Sequence, residues 1–164
     1  MRKKPEVSLR ARALQYLARR EYSRAELRDK LLPHAQNGAG DDFDTGQSQS
    51  VDLEALLDDL IARGWLSDQR AATQLVHIKR SRFGTQRITH ELRQKGIAEE
   101  LIDTALPGLK ESELDAARAV WQRKFGMLPQ DAREKARQVR FMQSRGFGLD
   151  VIFQVLRLTM PIED

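Results

Sequence analysis

The chain has 164 residues, with 28 lysines and arginines against 24 aspartates and glutamates, a formal net charge of +4 and no cysteine. No cysteine means no disulfide frame and no thiolate zinc site, and no apolar run approaches the roughly 20 residues that a membrane-spanning helix needs. The opening Met1–Glu6 is charged and does not read as a signal peptide, so the cytoplasm is the expected compartment.

In chain order, Leu9, Ala13, Tyr16 and Leu17 share one face of a first amphipathic helix. Ser23-Arg24-Ala25-Glu26 is a capping box, because the serine oxygen and the glutamate carboxylate can each satisfy an orphan amide of the other. It opens a second helix with Leu27 and Leu31 inward, which Pro33 is expected to limit. Residues 36–50 are polar and glycine-rich and read as a mobile loop, since they bury too little to offset the cost of ordering. A third helix follows with Leu53, Leu56, Leu57, Leu60 and Ile61 inward, ended by Gly64.

Helices are next expected at about 68–82, 84–95 and 98–106. Leu75 and Ile78 mark the core face of the first, Ile88 and Leu92 that of the second, and Leu101, Ile102 and Ala105 that of the third. Pro107-Gly108 reads as a break, after which helices are expected at about 112–125, 130–145 and 148–158. No segment alternates with period two, so the class is all-α.

The pattern repeats. Leu14, Leu17, Leu27 and Leu31 return as Leu75, Ile78, Ile88 and Leu92; Arg82-Phe83-Gly84 returns as Lys124-Phe125-Gly126; Lys95-Gly96-Ile97 returns as Arg145-Gly146-Phe147. Three tandem three-helix repeats are therefore expected, over 1–66, 67–109 and 110–164. Each is too small to close a core independently, so stacking into an elongated, curved array is the expected arrangement.

Nothing points to catalysis, a metal or a cofactor. His34, His77 and His90 form no ligand spacing, and His77 and His90 fall on polar faces. Gly38-Ala39-Gly40 lacks the lysine and the flanking elements of a phosphate loop. Asp58-Asp59 point about 100° apart on a helix and read as solvated surface.

Charge is segregated instead. Residues 41–59 hold seven acids and no base, whereas residues 70–95 hold seven bases and one acid, Glu91. Opposite potentials on different surfaces are expected, the basic one suited to nucleic acid or an acidic protein face. Arg80, Arg82, Arg87, Arg93 and Lys95 surround the Phe83-Gly84 turn, and Arg133, Arg137 and Arg140 form an i, i+4, i+7 stripe beside the apolar Ala132, Ala136 and Val139, with Arg145 nearby. These nine cations are the candidate partner-binding residues, because arginine pairs bidentately with carboxylates and phosphates alike. Trp65, Phe83, Trp121, Phe125, Phe141, Phe147 and Phe153 fit core packing better than exposed base-stacking platforms.

Three stretches carry a family likeness: Ser23-Arg24-Ala25-Glu26-Leu27-Arg28-Asp29-Lys30-Leu31; Arg63-Gly64-Trp65-Leu66-Ser67-Asp68; and Gly84-Thr85-Gln86-Arg87-Ile88-Thr89-His90-Glu91-Leu92-Arg93-Gln94-Lys95-Gly96-Ile97. In these, and in their order along nearly the whole chain, the sequence resembles the RecX family. Ala71 departs from it, standing where the family usually has an aromatic residue. The resemblance implies three three-helix repeats in a curved molecule. It also implies a non-enzymatic protein that binds in the groove of the RecA–DNA filament, opposes its growth and restrains strand exchange, ATP hydrolysis and stimulated repressor cleavage. RecA is then the partner, DNA is left open as a second one, directly or through the filament, and a monomer is expected. The competing reading is a helix-turn-helix DNA-binding regulator, which three non-identical repeats in one chain argue against.

Overall fold

The computed structural model describes residues 7–37 and 46–159. They form helices α1 (Leu9–Leu17), α2 (Arg24–Asn37), α3 (Gly46–Ala62), α4 (Asp68–Lys79), α5 (Thr85–Gln94), α6 (Glu99–Lys124), α7 (Ala132–Ser144) and α8 (Leu149–Thr159). There is no strand among the described residues, as the missing period-two alternation predicts. By its contacts the chain divides into two compact units, residues 1–71 with 95–97 and residues 72–94 with 98–164.

In the first unit the capping box forms as read. Ser23 Oγ accepts from the Glu26 amide at 3.1 Å, and the Glu26 carboxylate accepts from the Ser23 amide at 3.0 Å. The box also holds a distant segment: Ser23 Oγ donates to the Lys95 carbonyl at 2.6 Å, and the Lys95 ammonium pairs with Glu26. Next to it Gly96 has φ +72°, and a Cβ there would stand 2.7 Å from that of Ala25. Both the backbone conformation and the close approach require glycine.

Ala13, Tyr22, Leu27, Leu31, Leu53, Leu57, Leu60 and Leu66 make the core of this unit, with Leu9, Tyr16, Leu17, Leu32 and Leu56 packed at its edge. Ile61, expected inside, is exposed. It lies about 80° around the helix from Leu53, off the stripe that Leu53, Leu57 and Leu60 define. Trp65 is exposed too, at 45 %, flanked by the guanidinium groups of Arg10 and Arg63. Its hydrophobic face is covered by cations and not by the core.

Pro33 does not end α2, which continues to Asn37. Burial of Leu31 and Ala35 on either side of the proline offsets the backbone hydrogen bond it cannot donate. Of the segment read as a loop, residues 38–45 lie outside the described residues, while Gln36–Asn37 belong to α2 and 46–50 to α3.

Three acids of the expected acidic surface are ion-paired. Glu54 takes Arg24 and Arg28, both at 2.6 Å, Asp58 takes Arg24, and Asp59 takes Arg10 at 2.8 Å and Arg63 at 2.9 Å. Arg28 and Arg24 hold the Glu54 carboxyl below its ordinary pKa, and Arg10 and Arg63 do the same for Asp59. Charge that is segregated along the chain is thus paired in space. Asp41, Asp42 and Asp44 lie outside the described residues.

In the second unit Ala116, Ala117, Val120, Trp121, Met142, Phe147, Ile152, Val155 and Leu156 form the core. Its buried polar pair is complete: Trp121 Nε1 donates to Gln138 Oε1 at 2.8 Å, and Gln138 Nε2 donates to the Met127 carbonyl at 3.1 Å. The expected break at Pro107-Gly108 is absent, and α6 runs through it as one 26-residue helix. Proline and glycine inside a helix cost about 3 and 1 kcal/mol relative to alanine. Here Ile102 and Leu109 are buried on either side of them, which holds the helix together.

A further expectation fails for lack of a facing surface. Ile78 is 60 % exposed, because α4 turns Ala72, Leu75 and Val76 inward instead. On α7 the face that buries Gln138 and Met142 leaves Ala132 and Ala136, beside the arginine stripe, exposed. Trp121 and Phe147 are core residues as expected, Phe83, Phe125 and Phe141 are half-buried, and Phe153 is exposed.

Candidate partner-binding surface

The candidate site grows from two turns in the second unit. After α4 the chain passes Arg80, Ser81, Arg82 and Phe83 to Gly84. After α7 it passes Arg145 and Gly146 to Phe147. The turns meet: the Gly84 amide donates to the Arg145 carbonyl at 2.8 Å, and the Gln86 amide donates to the Gly146 carbonyl at 3.2 Å. Gly146 has φ +88°, and a Cβ there would stand 2.3 Å from the Arg87 Cβ. Only glycine lets the two backbones approach this closely.

This junction gathers cations around two phenylalanines. Arg87 lies 4.3 Å from the Phe83 ring centre and donates to the Ser144 carbonyl at 3.1 Å. Arg145 lies 5.4 Å from Phe83 and 5.3 Å from Phe141, and Lys124 lies 5.3 Å from Phe141. Phe141 stands edge-on to Phe125 at 5.4 Å, which fixes its ring. Arg82, Arg123, Lys124 and Arg145, with Val120 and Phe141, line an open depression of about 300 Å³. None of these four cations forms an ion pair among the described residues. The hollow can therefore hold an anion whose charge the protein does not already supply, such as a carboxylate or a phosphate.

The nine cations read from the sequence separate into groups. Arg82, Arg87 and Arg145 come together at the junction. Arg80 is exposed just before it. Arg133, Arg137 and Arg140 do form an outward stripe on α7, where Arg137 pairs with Glu134 at 3.4 Å and lies 5.7 Å from the Phe125 ring. Arg93 is held by Glu99, its Nε 2.6 Å from the carboxylate. That pairing raises the Arg93 pKa and lowers that of Glu99. Lys95 belongs to the first unit, paired with Glu26.

Arg123 and Lys124 were not among the nine. A signal for Lys124 existed, since Lys124-Phe125-Gly126 repeats Arg82-Phe83-Gly84. Among the described residues no group of three or more His, Cys, Asp and Glu stands close enough to hold a metal ion, and no helix is long and apolar enough to cross a membrane.

Three family models match the chain: the first three-helix domain of RecX over residues 10–34, the second over 67–106 and the third over 111–156. The regulatory protein RecX of Leptothrix cholodnii is 50 % identical over 155 residues, covering 94 % of this chain and 91 % of that one. The protein of the same name from Ralstonia nicotianae is 45 % identical, over 92 % and 87 %, and that from Neisseria meningitidis 38 % identical, over 94 % and 92 %. The crystal structure of RecX from Lactobacillus salivarius superposes with a TM-score of 0.68 at 18 % identity, over 92 % of this chain and 93 % of that one. That last likeness concerns the fold alone.

Proposed function

The chain belongs to the RecX family of regulatory proteins, and we propose that it modulates RecA by laying the basic surface of its second unit against the RecA–DNA filament. A RecX protein is a regulator of RecA and not an enzyme, so its work is done by binding. The observation that carries the surface assignment is the depression around Phe141, where Arg82, Arg123, Lys124 and Arg145 converge without a carboxylate partner among the described residues. Such cations recover strong pairing only when an acidic or phosphorylated surface arrives. Arg80, Arg87, Arg133, Arg137 and Arg140 extend the field. Arg93 and Lys95 contribute less, because Glu99 and Glu26 already meet their charge. A filament offers both acidic protein faces and phosphates, so DNA contact occurs within it, and a cytoplasmic monomer suffices.

The test is co-sedimentation with RecA assembled on single-stranded DNA, alongside RecA-dependent ATP hydrolysis. Substoichiometric wild-type protein slows hydrolysis and pellets with filaments, less so as salt rises. The charge reversals R123E and K124E together raise the amount needed by roughly tenfold or more, with helicity unchanged. Wild-type protein that leaves hydrolysis unaffected rejects the function; a double variant as active as wild type rejects the surface.

A further inference from the structure

A second surface of the same unit has a different chemistry. Phe153 and Leu156 lie three residues apart on α8 and open toward the connection that leads into α7. Together with Leu128 and Pro129 from that connection, Phe153 and Leu156 line an open groove of about 620 Å³. Phe153, in its floor, is 38 % exposed, and Leu128 and Pro129 are only half-buried. Bulky apolar side chains left open in a concave surface cost free energy that an apolar occupant would recover.

The edge of the groove is cationic. Lys135 and Arg157 line it. The Lys135 ammonium lies 5.5 Å from the Phe153 ring, and Arg157 Nε donates to the Phe153 carbonyl at 3.4 Å. Neither makes an ion pair among the described residues. Of the carboxylates that precede Lys135 in the chain, Asp131 accepts from the Glu134 amide at 2.7 Å and Glu134 pairs with Arg137. No residue of the groove lines the depression around Phe141.

We infer that this groove docks an acidic segment of a partner protein through a bulky apolar anchor, the anchor filling the space over Phe153 and Leu156 while carboxylates on either side pair with Lys135 and Arg157. An apolar floor selects a hydrophobic side chain, and two free cations at its edge select carboxylates flanking it. The inference does not depend on the role given to the basic surface, and either can fail alone.

The probe is a short fluorescein-labelled peptide of aspartates and glutamates interrupted by one leucine and one phenylalanine, titrated against the full chain by fluorescence anisotropy. Saturable binding is expected. F153S, and K135E with R157E, each weaken it by roughly tenfold or more while circular dichroism is unchanged. Replacing the leucine and phenylalanine of the probe by serine weakens it as much. No saturable binding, equal binding of the serine probe, or equal binding by the variants overturns the inference. So does competition by oligothymidylate, which assigns the groove to nucleic acid. Tenfold tighter binding after removal of residues 160–164 assigns it to the chain's own end, and concentration-dependent dimerisation lost in F153S assigns it to a second copy; each also overturns the inference.

Discussion

The amide of Gly84 donates a 2.8 Å hydrogen bond to the carbonyl of Arg145, joining two turns 61 positions apart in the chain. A Cβ at Gly84 would stand 2.2 Å from the Gly146 carbonyl oxygen, so no side chain fits without separating the turns. Because this junction holds the turns together, Arg145 reaches the rings of both Phe83 and Phe141.

Gly84→Ala is therefore expected to destabilise the second unit by roughly 2–4 kcal/mol, the range of severe packing substitutions. Gly64→Ala serves as the comparison. Its added Cβ meets nothing within 4 Å, and only the φ of +73° opposes it, at about 1–2 kcal/mol. Urea denaturation of both variants should rank Gly84→Ala as the more damaging; the reverse order would contradict the packing described.

Gly108→Ala should stabilise the protein. The glycine sits inside α6 without a positive φ, and an added Cβ meets nothing within 4 Å. Alanine is then favoured by about 1 kcal/mol through helix propensity. A fall in melting temperature would mean that α6 is not continuous there.

Acid should weaken the first unit. Burial pushes the Glu26 carboxyl up, but Lys95, the Ser23 amide and Arg20 outweigh it and hold the pKa below its ordinary value. Glu54 and Asp59 are lowered as well. A carboxyl whose folded pKa is depressed contributes stability that is complete above its unfolded pKa, near about 4. It is lost as pH falls through the lower, folded value. Denaturation midpoints should hold from neutrality to about pH 5 and fall below it. Glu26→Gln should cost roughly 1–3 kcal/mol at neutral pH and flatten that acid limb, since it removes charge-assisted hydrogen bonds. An acid limb as steep as that of the wild type would remove Glu26 from this role.

The Trp121–Gln138 pair gives a coupled prediction. Gln138→Leu leaves the buried indole N–H without its acceptor, at a cost of roughly 1–3 kcal/mol. Adding Trp121→Phe removes that orphan donor, so the double variant should lose less than the sum of the two single ones. Strict additivity in chemical denaturation would show the bond to be energetically idle.

Helical class, the capping box at Ser23 and the leucines of the first core were legible because each follows from spacing within a few residues. Helix periodicity and cap chemistry are local, and the sequence states them directly. The repeat was legible for the same reason, one local pattern recurring. Pro33 and Pro107 were misjudged because a local cost was read without the burial of Leu31, Ala35, Ile102 and Leu109 around it. Ile78 was misjudged because a periodic apolar position becomes core only where another element covers it, and Trp65 because Arg10 and Arg63, not the core, flank its ring.

Charge divides the same way. The chain carries its acids and bases in separate runs, and that much is fixed by the order of residues. Which cations stay available was decided by folding, because ion pairs act over a few ångströms of space and not along the chain. Arg24, Arg28 and Lys95 fold onto carboxylates and are neutralised, whereas Arg123 and Lys124, unremarkable as sequence, are brought beside Arg82 and Arg145 by the contact between two glycine turns.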